Sequence, residues 1–506
     1  MFYVKNKSWF YDIAILTIVI GIFYALFLGS YNLLIPDEGR YAEVVREMLV
    51  THEYLTPKIN GVAFLDKPIL FYWLQVASVK IFGFNTWALR FWPALLGVFG
   101  CIYAYITTRY LFGRRAGLLS AIILSTSPLY FALSHFAHLD LALAVFISSS
   151  LFSFLIALNI EHTFERDLML WLAYVFAGLA VLTKGLIGIV FPVMIVGVWI
   201  LFLKRWKLLL QMRLLSGIII LSSIVFPWYY LEQKTNPLFF HYFFVHEQFD
   251  RYLTNHFNDL QPIWYYIPVL VVGLFPWILF WIQTLIKTIQ AIKRKETGYE
   301  NRLFLLLWAF LIFIFFSIPS SKAIGYITPT LPPMAILLGI YFSEQWAHFI
   351  LKYFSLKKIF SVFASVMFIL GFTLGIVMPR LDLPSTKPLA SLLLPRLNPN
   401  DQVMVYHYYY QDLPLYLGHP VTVVGRWYDP LIAKEDDWEG QFWYGMQFSG
   451  NKPWFIDENQ FRQIWFSKKR VYLFMDEGYY YQIDKSKLFP MHWVGKYRSA
   501  VVVSNH

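Results

Sequence analysis

Two short motifs carry much of the reactive chemistry in this 506-residue chain. Asp37-Glu-Gly-Arg-Tyr41 places an acid, a cation and a phenol within five residues, and Tyr41, Val44, Val45, Met48 and Leu49 continue it at helical spacing. That spacing predicts an amphipathic helix lying along a bilayer surface. Asp37 then has two readings. It is either a capping carboxylate worth about 1 kcal/mol, or a charge held just past a membrane span, where it can reach a lipid headgroup. Glu38 and Arg40 also fit a solvated face. The second motif is Phe64-Leu-Asp66-Lys67-Pro68. Pro68 disfavours a helical Lys67, so the Asp66-Lys67 pair is displayed on extended backbone. It is either a working ion pair or a snorkelling lysine with an aspartate that neutralises it.

Further polar residues interrupt the apolar sequence. Asp140 closes Ser134-His-Phe-Ala-His-Leu-Asp140, beside His135 and His138, and N-capping is the commoner role for such an aspartate. Lys184, in Thr183-Lys184-Gly185, sits between two apolar runs with almost no loop, and Lys322 follows Ser320-Ser321 and precedes Tyr326. Arg40, Lys67, Lys184 and Lys322 together would make an anion site, although each alone also fits an interfacial anchor. The loop 232–262 holds His241, His246, Glu247, Asp250, Arg251, His256 and Asp259 ahead of Trp264-Tyr265-Tyr266. This mixture suits phosphate contact, metal binding or a polar lid. A divalent ion is the one cofactor to consider, with Asp66, His246, Glu247 and Asp259 as its ligand set, but their spacing matches no metal motif.

Composition decides what must position these groups. The chain is 58% hydrophobic and 14% charged, against about 25% charged in soluble domains, which excludes a soluble protein. Its net charge is +11, yet from residue 379 onward there are 14 basic and 13 acidic residues. The excess therefore lies among the apolar runs, which points to loops beside anionic lipid and not to a nucleic-acid face. Cys101 is the single cysteine, so no intramolecular disulfide forms. Apolar runs at 9–34, 87–108, 116–133, 141–158, 168–183, 185–203, 214–231, 263–286, 303–318, 326–349 and 359–378 predict eleven spans.

The stretch 68–82 is too short to cross. With it left uncrossed, the clusters around Arg109, Lys204, Lys293 and Lys357 all fall on the cytoplasmic side. Segments 31–86, 134–140, 184–185, 232–262 and 319–326 then share the outer face. Residues 379–506 follow on that face and change character. Strands at 402–406 and 421–424 flank a helix at 408–417 as a βαβ unit, with strands at 470–474 and 494–503 and a helix at 458–466, predicting a small α/β domain.

At these residues the chain resembles bacterial polyprenyl-phosphate-sugar-dependent glycosyltransferases of the C-type superfamily, the group of aminoarabinose lipid A transferases and protein mannosyltransferase-like enzymes. The matching pieces are Asp37–Tyr41 with its helix, Asp66-Lys67-Pro68 leading to Tyr72-Trp73, and Arg109-Tyr-Leu-Phe-Gly-Arg114-Arg115. Leu182-Thr-Lys184-Gly185, Pro262-Ile-Trp-Tyr-Tyr266 and Ser320-Ser-Lys322 through Tyr326 to Pro332 complete them. The first and fourth are the specific ones.

The resemblance implies an α-helical polytopic membrane protein of the C-type glycosyltransferase fold. It has 11 to 13 transmembrane helices over 1–378, periplasmic catalytic loops, and a periplasmic α/β domain over 379–506. It implies an inner-membrane enzyme that moves a sugar from undecaprenyl phosphate with inversion, with Asp37 and Asp140 as catalytic acids. Arg40, Tyr41, Lys67, Lys184, Arg251, Lys322 and Tyr326 would bind the donor phosphate or substrate. Departures are Asp66, where the family usually has Glu, and Asp259, where a His often precedes Trp-Tyr-Tyr. The expected reaction is transfer of 4-amino-4-deoxy-L-arabinose to a lipid A phosphate; another sugar on a different lipid, glycan or protein acceptor is the alternative. A lipid-linked sugar flippase is the rival class, but it calls for repeat symmetry and mid-bilayer charges, and the charges here gather at one face. The expected partners are the lipid-linked donor, the acceptor and membrane lipid, with no nucleic acid.

Overall fold

The computed structural model describes residues 7–161, 163–250, 260–345, 350–351, 354–429, 431–432 and 437–506. Among them, eight helices are long and apolar enough to cross a bilayer: Lys7–Ala25, Thr86–Phe112, Leu139–Ala157, Thr163–Lys184, Leu214–Thr235, Tyr299–Ser317, Ile324–Gln345 and Lys358–Arg380. Two further spans are broken pairs, Arg114–Ser125 with Pro128–Ser134, bent by 64°, and Tyr266–Gly273 with Trp277–Lys293, bent by 106°. A proline stands at each break, Pro128 and Pro276, where it cannot continue the preceding helix's hydrogen bonds. With the shorter Ile187–Leu203, each of the eleven expected runs has its helix. Leu70–Phe82 has 13 residues and rises only about 20 Å, short of the roughly 30 Å hydrocarbon core. The first helix ends at Ala25 and not near residue 34, because the chain turns back there, with Phe27 at φ 61°.

All nineteen residues of Leu139–Ala157 are buried. A helix apolar on every side belongs inside a bundle, and its serines satisfy themselves locally, Ser148, Ser149 and Ser153 each donating to the carbonyl four residues back. At one end of the bundle Asp12 accepts from Arg109 Nη1 at 2.5 Å, Arg114 Nε at 2.7 Å and Tyr105 Oη at 2.8 Å. The Arg109–Arg114 motif thus braces the first helix against the turn at Gly113, whose φ of 92° suits glycine.

A hairpin of β1 (Lys58–Ile59) and β2 (Val62–Ala63) turns at Asn60-Gly61. The C-terminal sheet holds β3 (Gln402–Tyr406), β4 (Thr422–Val424), β5 (Phe455–Ile456), β6 (Val471–Asp476), β7 (His492–Tyr497) and β8 (Ala500–Ser504). Its order is β5-β4-β3-β6-β8-β7, with the first four strands parallel and the last three joined antiparallel. The expected βαβ unit forms, though its helix shortens to Leu413–Leu417, stopped by Gly418 at φ 81°. The single strand expected at 494–503 is two strands, because Arg498 at φ 54° turns the chain into a hairpin. One face of the sheet packs Val403, Val405 and Phe474 toward the membrane region, and the other packs Met404, Leu473 and Val501 against Phe461 and Ile483.

The β1–β2 hairpin pegs the two regions together. Asn60 Nδ2 donates to Val421 O at 3.0 Å, Val421 N returns a bond to Asn60 Oδ1 at 2.8 Å, and Trp454 Nε1 donates to Asn60 O at 2.9 Å. At Gly61 a Cβ would sit 2.5 Å from the Trp454 ring, so only glycine lets the tryptophan close over the turn.

Candidate active site

The segments that topology assigns to one face converge on one cavity of about 1070 Å³. Asp37, Arg40, Tyr41, Asp66, Lys67, Asp140, Lys184, Lys322 and Tyr326 all line it. Arg251 and Asp259 lie outside the described residues. Beyond this polar end the wall turns apolar, through Phe23, Phe27, Phe131, Met367 and Phe372. Tyr408, Tyr409, Gln411 and Gln441 of the C-terminal domain roof it.

Asp37 opens the helix Asp37–Thr51, but Pro36 holds the N-cap position and no side chain caps it, so the carboxylate is not used as a cap. The helix is positioned instead by its neighbour. Glu38, read from sequence as a solvated face, is fully buried and pairs with Arg90 through two bonds of 2.7 Å. Glu38 also accepts from Leu34 N at 2.9 Å and Ala137 N at 2.8 Å. Arg90 donates to Leu28 O, Tyr31 O and Asn32 O at 3.0–3.1 Å. One buried ion pair therefore fixes the loop before Asp37 and the loop before Asp140 together. An arginine inside an apolar span was the available signal for it.

Asp140 is not the cap of its helix either. His138 takes that position, its Nδ1 accepting from Asp140 N at 3.2 Å. The carboxylate is free to bind Lys184 Nζ, and His138 Nδ1 stands 3.3 Å from its other oxygen. Lys184 also lies over the Tyr326 ring at 4.0 Å, and Tyr41 Oη is 3.4 Å from His138 Nε2.

Asp66 and Lys67 do not pair through their side chains. The backbone bends at this pair instead of running extended, and Asp66 accepts from Tyr242 Oη at 2.5 Å while Lys67 meets Glu247 Oε2 at 3.2 Å and the Asp66 carbonyl at 3.0 Å. Burial, with the Glu247 carboxylate nearby, pushes the Asp66 carboxyl above its ordinary value. Among the described residues no three His, Cys, Asp or Glu side chains gather as metal ligands. The proposed metal set is divided: Asp66 and Glu247 flank Lys67, while His246 packs on the Tyr242 and Tyr444 rings.

Lys184 and Lys67 thus have carboxylate partners. Lys322, 3% exposed, donates only to the carbonyls of Gln261 and Pro319 among the described residues, and burial lowers its pKa. Arg40 has a buried Nε with no hydrogen-bond partner and a guanidinium 5.7 Å from the Phe64 ring. Lys322 is thus a buried cation with no carboxylate partner among the described residues, which is costly, so the polar end suits an anion.

Gly325 packs directly on Asp140, where a Cβ would stand 2.8 Å from the carboxylate carbon. Gly325→Ala is expected to push Asp140 off Lys184 and to lower any activity that uses this carboxylate by about 10²-fold, the usual cost of a shift near 1 Å at a reacting group. Turnover of the purified variant checks this, with its melting temperature as the control for folding.

A model of dolichyl-phosphate-mannose-protein mannosyltransferases matches residues 13–243, and a model of the aminoarabinose transferase C-terminal domain matches residues 389–505. Undecaprenyl phosphate-alpha-4-amino-4-deoxy-L-arabinose arabinosyl transferase 2 of Pseudomonas fluorescens is 31% identical over 327 residues, 64% of this chain and 55% of that one. The transferase of that name from an Enterobacter species is 32% identical over 310 residues, 60% of this chain and 54% of its own length. The chain so spans a little over half of these curated relatives. In structure it is similar to ArnT from Cupriavidus metallidurans bound to undecaprenyl phosphate, with TM-score 0.83, 24% identity and 99% of both chains covered. The archaeal oligosaccharyltransferase AglB from Archaeoglobus fulgidus is more distant, with TM-score 0.58 and 14% identity over 95% of this chain and 70% of that one. These two likenesses establish the fold.

Proposed function

We propose that this chain is a C-type glycosyltransferase of the aminoarabinose transferase and protein mannosyltransferase group, the reading its two family models and curated relatives support, and that it moves 4-amino-4-deoxy-L-arabinose from undecaprenyl phosphate to a phosphate of lipid A. The observation that carries this reading is one cavity lined by Arg40, Lys67, Lys184 and Lys322 at one end, with Lys322 free of any carboxylate partner among the described residues, and by an apolar wall at the other. That pairing fits a phosphate on a hydrocarbon chain. A nucleotide sugar stays in the cytoplasm, so transfer at the outer face needs such a lipid carrier.

In the proposed reaction an acceptor oxygen forms a bond to the anomeric carbon as the bond from that carbon to the carrier phosphate breaks, with inversion. Arg40, Lys67, Lys184 and Lys322 stabilise the charge that gathers on the departing phosphate. A phosphate acceptor is already anionic, so Asp37 orients it or the amino sugar; for a hydroxyl acceptor Asp37 takes the proton as general base. The active site and the C-terminal domain face the periplasm in this reading. Labelling with an impermeant thiol reagent in a Cys101→Ser background tests the orientation. A cysteine at Lys469 should react in spheroplasts and one at Thr297 only after lysis; the reverse pattern overturns the topology and the function.

Lys67→Ala should lose donor binding and turnover together, by about 2–5 kcal/mol for a contact desolvated in the complex. Lys58, paired with Glu53 at the hairpin, is the control, and Lys58→Ala should match wild type. Lys67→Arg should rescue in part, since a planar fork replaces a compact ammonium. Titration with undecaprenyl-phosphate aminoarabinose in detergent decides it: equal loss at Lys58 and Lys67 would mean surface electrostatics and no defined phosphate site.

A further inference from the structure

A second cavity, of about 620 Å³, is lined by C-terminal domain residues throughout, and strand order explains its place. The chain leaves β3 through Leu413–Leu417 on one face of the sheet and leaves β6 through Glu477–Ser486 on the other, as Leu413 and Ile483 fall in opposite cores. β3 and β6 are adjacent. Connections that diverge from neighbouring parallel strands open a crevice at their carboxyl ends, the place where open α/β sheets bind ligands. The lining comes from those ends: Tyr406 and His407 close β3, Arg426 follows β4, and Tyr479, Gln482 and Ser486 lie on the helix after β6.

Glu439 supplies an independent observation. It lines the cavity at 4% exposure, and its Oε2 accepts from Arg426 Nη2 at 2.6 Å and Nε at 3.2 Å. Its Oε1 is buried and accepts no hydrogen bond among the described residues. An acceptor left buried in this way costs about 1–3 kcal/mol, and Glu439 is held at the cavity wall through its Oε2 bonds to Arg426. Arg426 is the only Lys or Arg among the described lining residues, and Glu439 already neutralises it, so a phosphate is a poor match. Aromatic rings at Tyr406, Trp438 and Tyr479 stand beside the planar polar groups of Glu439, Arg426 and Gln482. A pyranose has the complementary chemistry, with apolar C–H faces for the rings and hydroxyls that both donate and accept.

We propose that this cavity is a carbohydrate-binding site, distinct from the membrane-facing cavity. Asp437 and Trp438 wall both cavities, so a sugar held here lies beside the transfer site and extends the reach of the protein to a glycan on one of its substrates. The site stands on the sheet and its lining, and does not depend on which sugar is transferred.

Saturation-transfer difference NMR on the full chain in detergent tests it, with methyl β-D-glucopyranoside and D-glucosamine as probes and inorganic phosphate followed separately by its own resonance. Ring-proton transfer is expected in wild type and in Lys67→Ala. It should fall about fivefold in Tyr479→Ala, the size of one lost aromatic contact, and also fall in Glu439→Gln. Ser486 is exposed, so Ser486→Trp fills the mouth without touching the core and keeps the test sound if Glu439→Gln fails to fold. Sugar signals unchanged in Ser486→Trp and Tyr479→Ala, or lost in Lys67→Ala, would overturn the proposal. A response to phosphate with none to either sugar would overturn it too.

Discussion

Asp37→Asn is expected to leave the protein inserted and folded while transfer falls by about 10²–10⁴-fold, the usual yield of a positioned acid or base. The structural cost is small because Asp37 makes no cap: Pro36 occupies that position. What is lost is one negative charge in the first turn, worth about 0.3–1 kcal/mol of dipole interaction, too little to unfold a bundle with this much buried surface. The two effects therefore separate. Melting temperature in detergent should move by a few degrees at most, while single-turnover transfer to the proposed acceptor, lipid A, collapses. Near-normal turnover by the purified variant would remove Asp37 from the catalytic role and leave Asp140 as the acid to examine.

Arg90→Ala should damage the fold strongly, because Arg90 is fully buried inside the span Thr86–Phe112. It strands Glu38 as a buried, uncompensated carboxylate, and breaking one side of such a pair costs about 3–5 kcal/mol. The loss goes beyond one contact, because Arg90 also satisfies the carbonyls of Leu28, Tyr31 and Asn32. Expression and melting temperature should both drop. Arg90→Lys should recover little, since an ammonium cannot make the two parallel bonds to Glu38. A variant that melts like wild type yet transfers slowly would show that the pair orients the site and contributes nothing to stability.

The site was legible in sequence wherever a charge interrupts an apolar run. Lys184 and Lys322 stand out for that reason, and so do Asp66, Lys67 and Asp140, which the structure brings to the same cavity. What sequence could not supply is partnership. Glu38 looks like one more acid on an amphipathic helix until Arg90, 52 positions away, is beside it. Asp66 and Lys67 look like a pair because they are adjacent, yet the chain bends between strand and helix there and they meet Tyr242 and Glu247. The dipeptide Asn60-Gly61 is a common turn former, but its role as a peg depends on Trp454, nearly four hundred residues on. In the C-terminal domain the strands at 402–406 and 421–424 were visible from their runs, the second forming over Thr422–Val424. The helix Trp438–Ser449 was not, because glycines and aromatics mask its period.

The helix that carries Asp140 touches protein on every side, whereas Leu214–Thr235 and Lys358–Arg380 are largely open to their surroundings. A bilayer that thickens or thins presses on hydrophobic length, and helices respond by tilting at a fraction of a kcal/mol per Å. Here that pressure falls on the outer helices, and Leu139–Ala157 has no lipid contact through which to feel it. The height of Asp140 is set by packing alone, so the geometry between Asp140 and Lys184 should hold across membranes of different acyl-chain length.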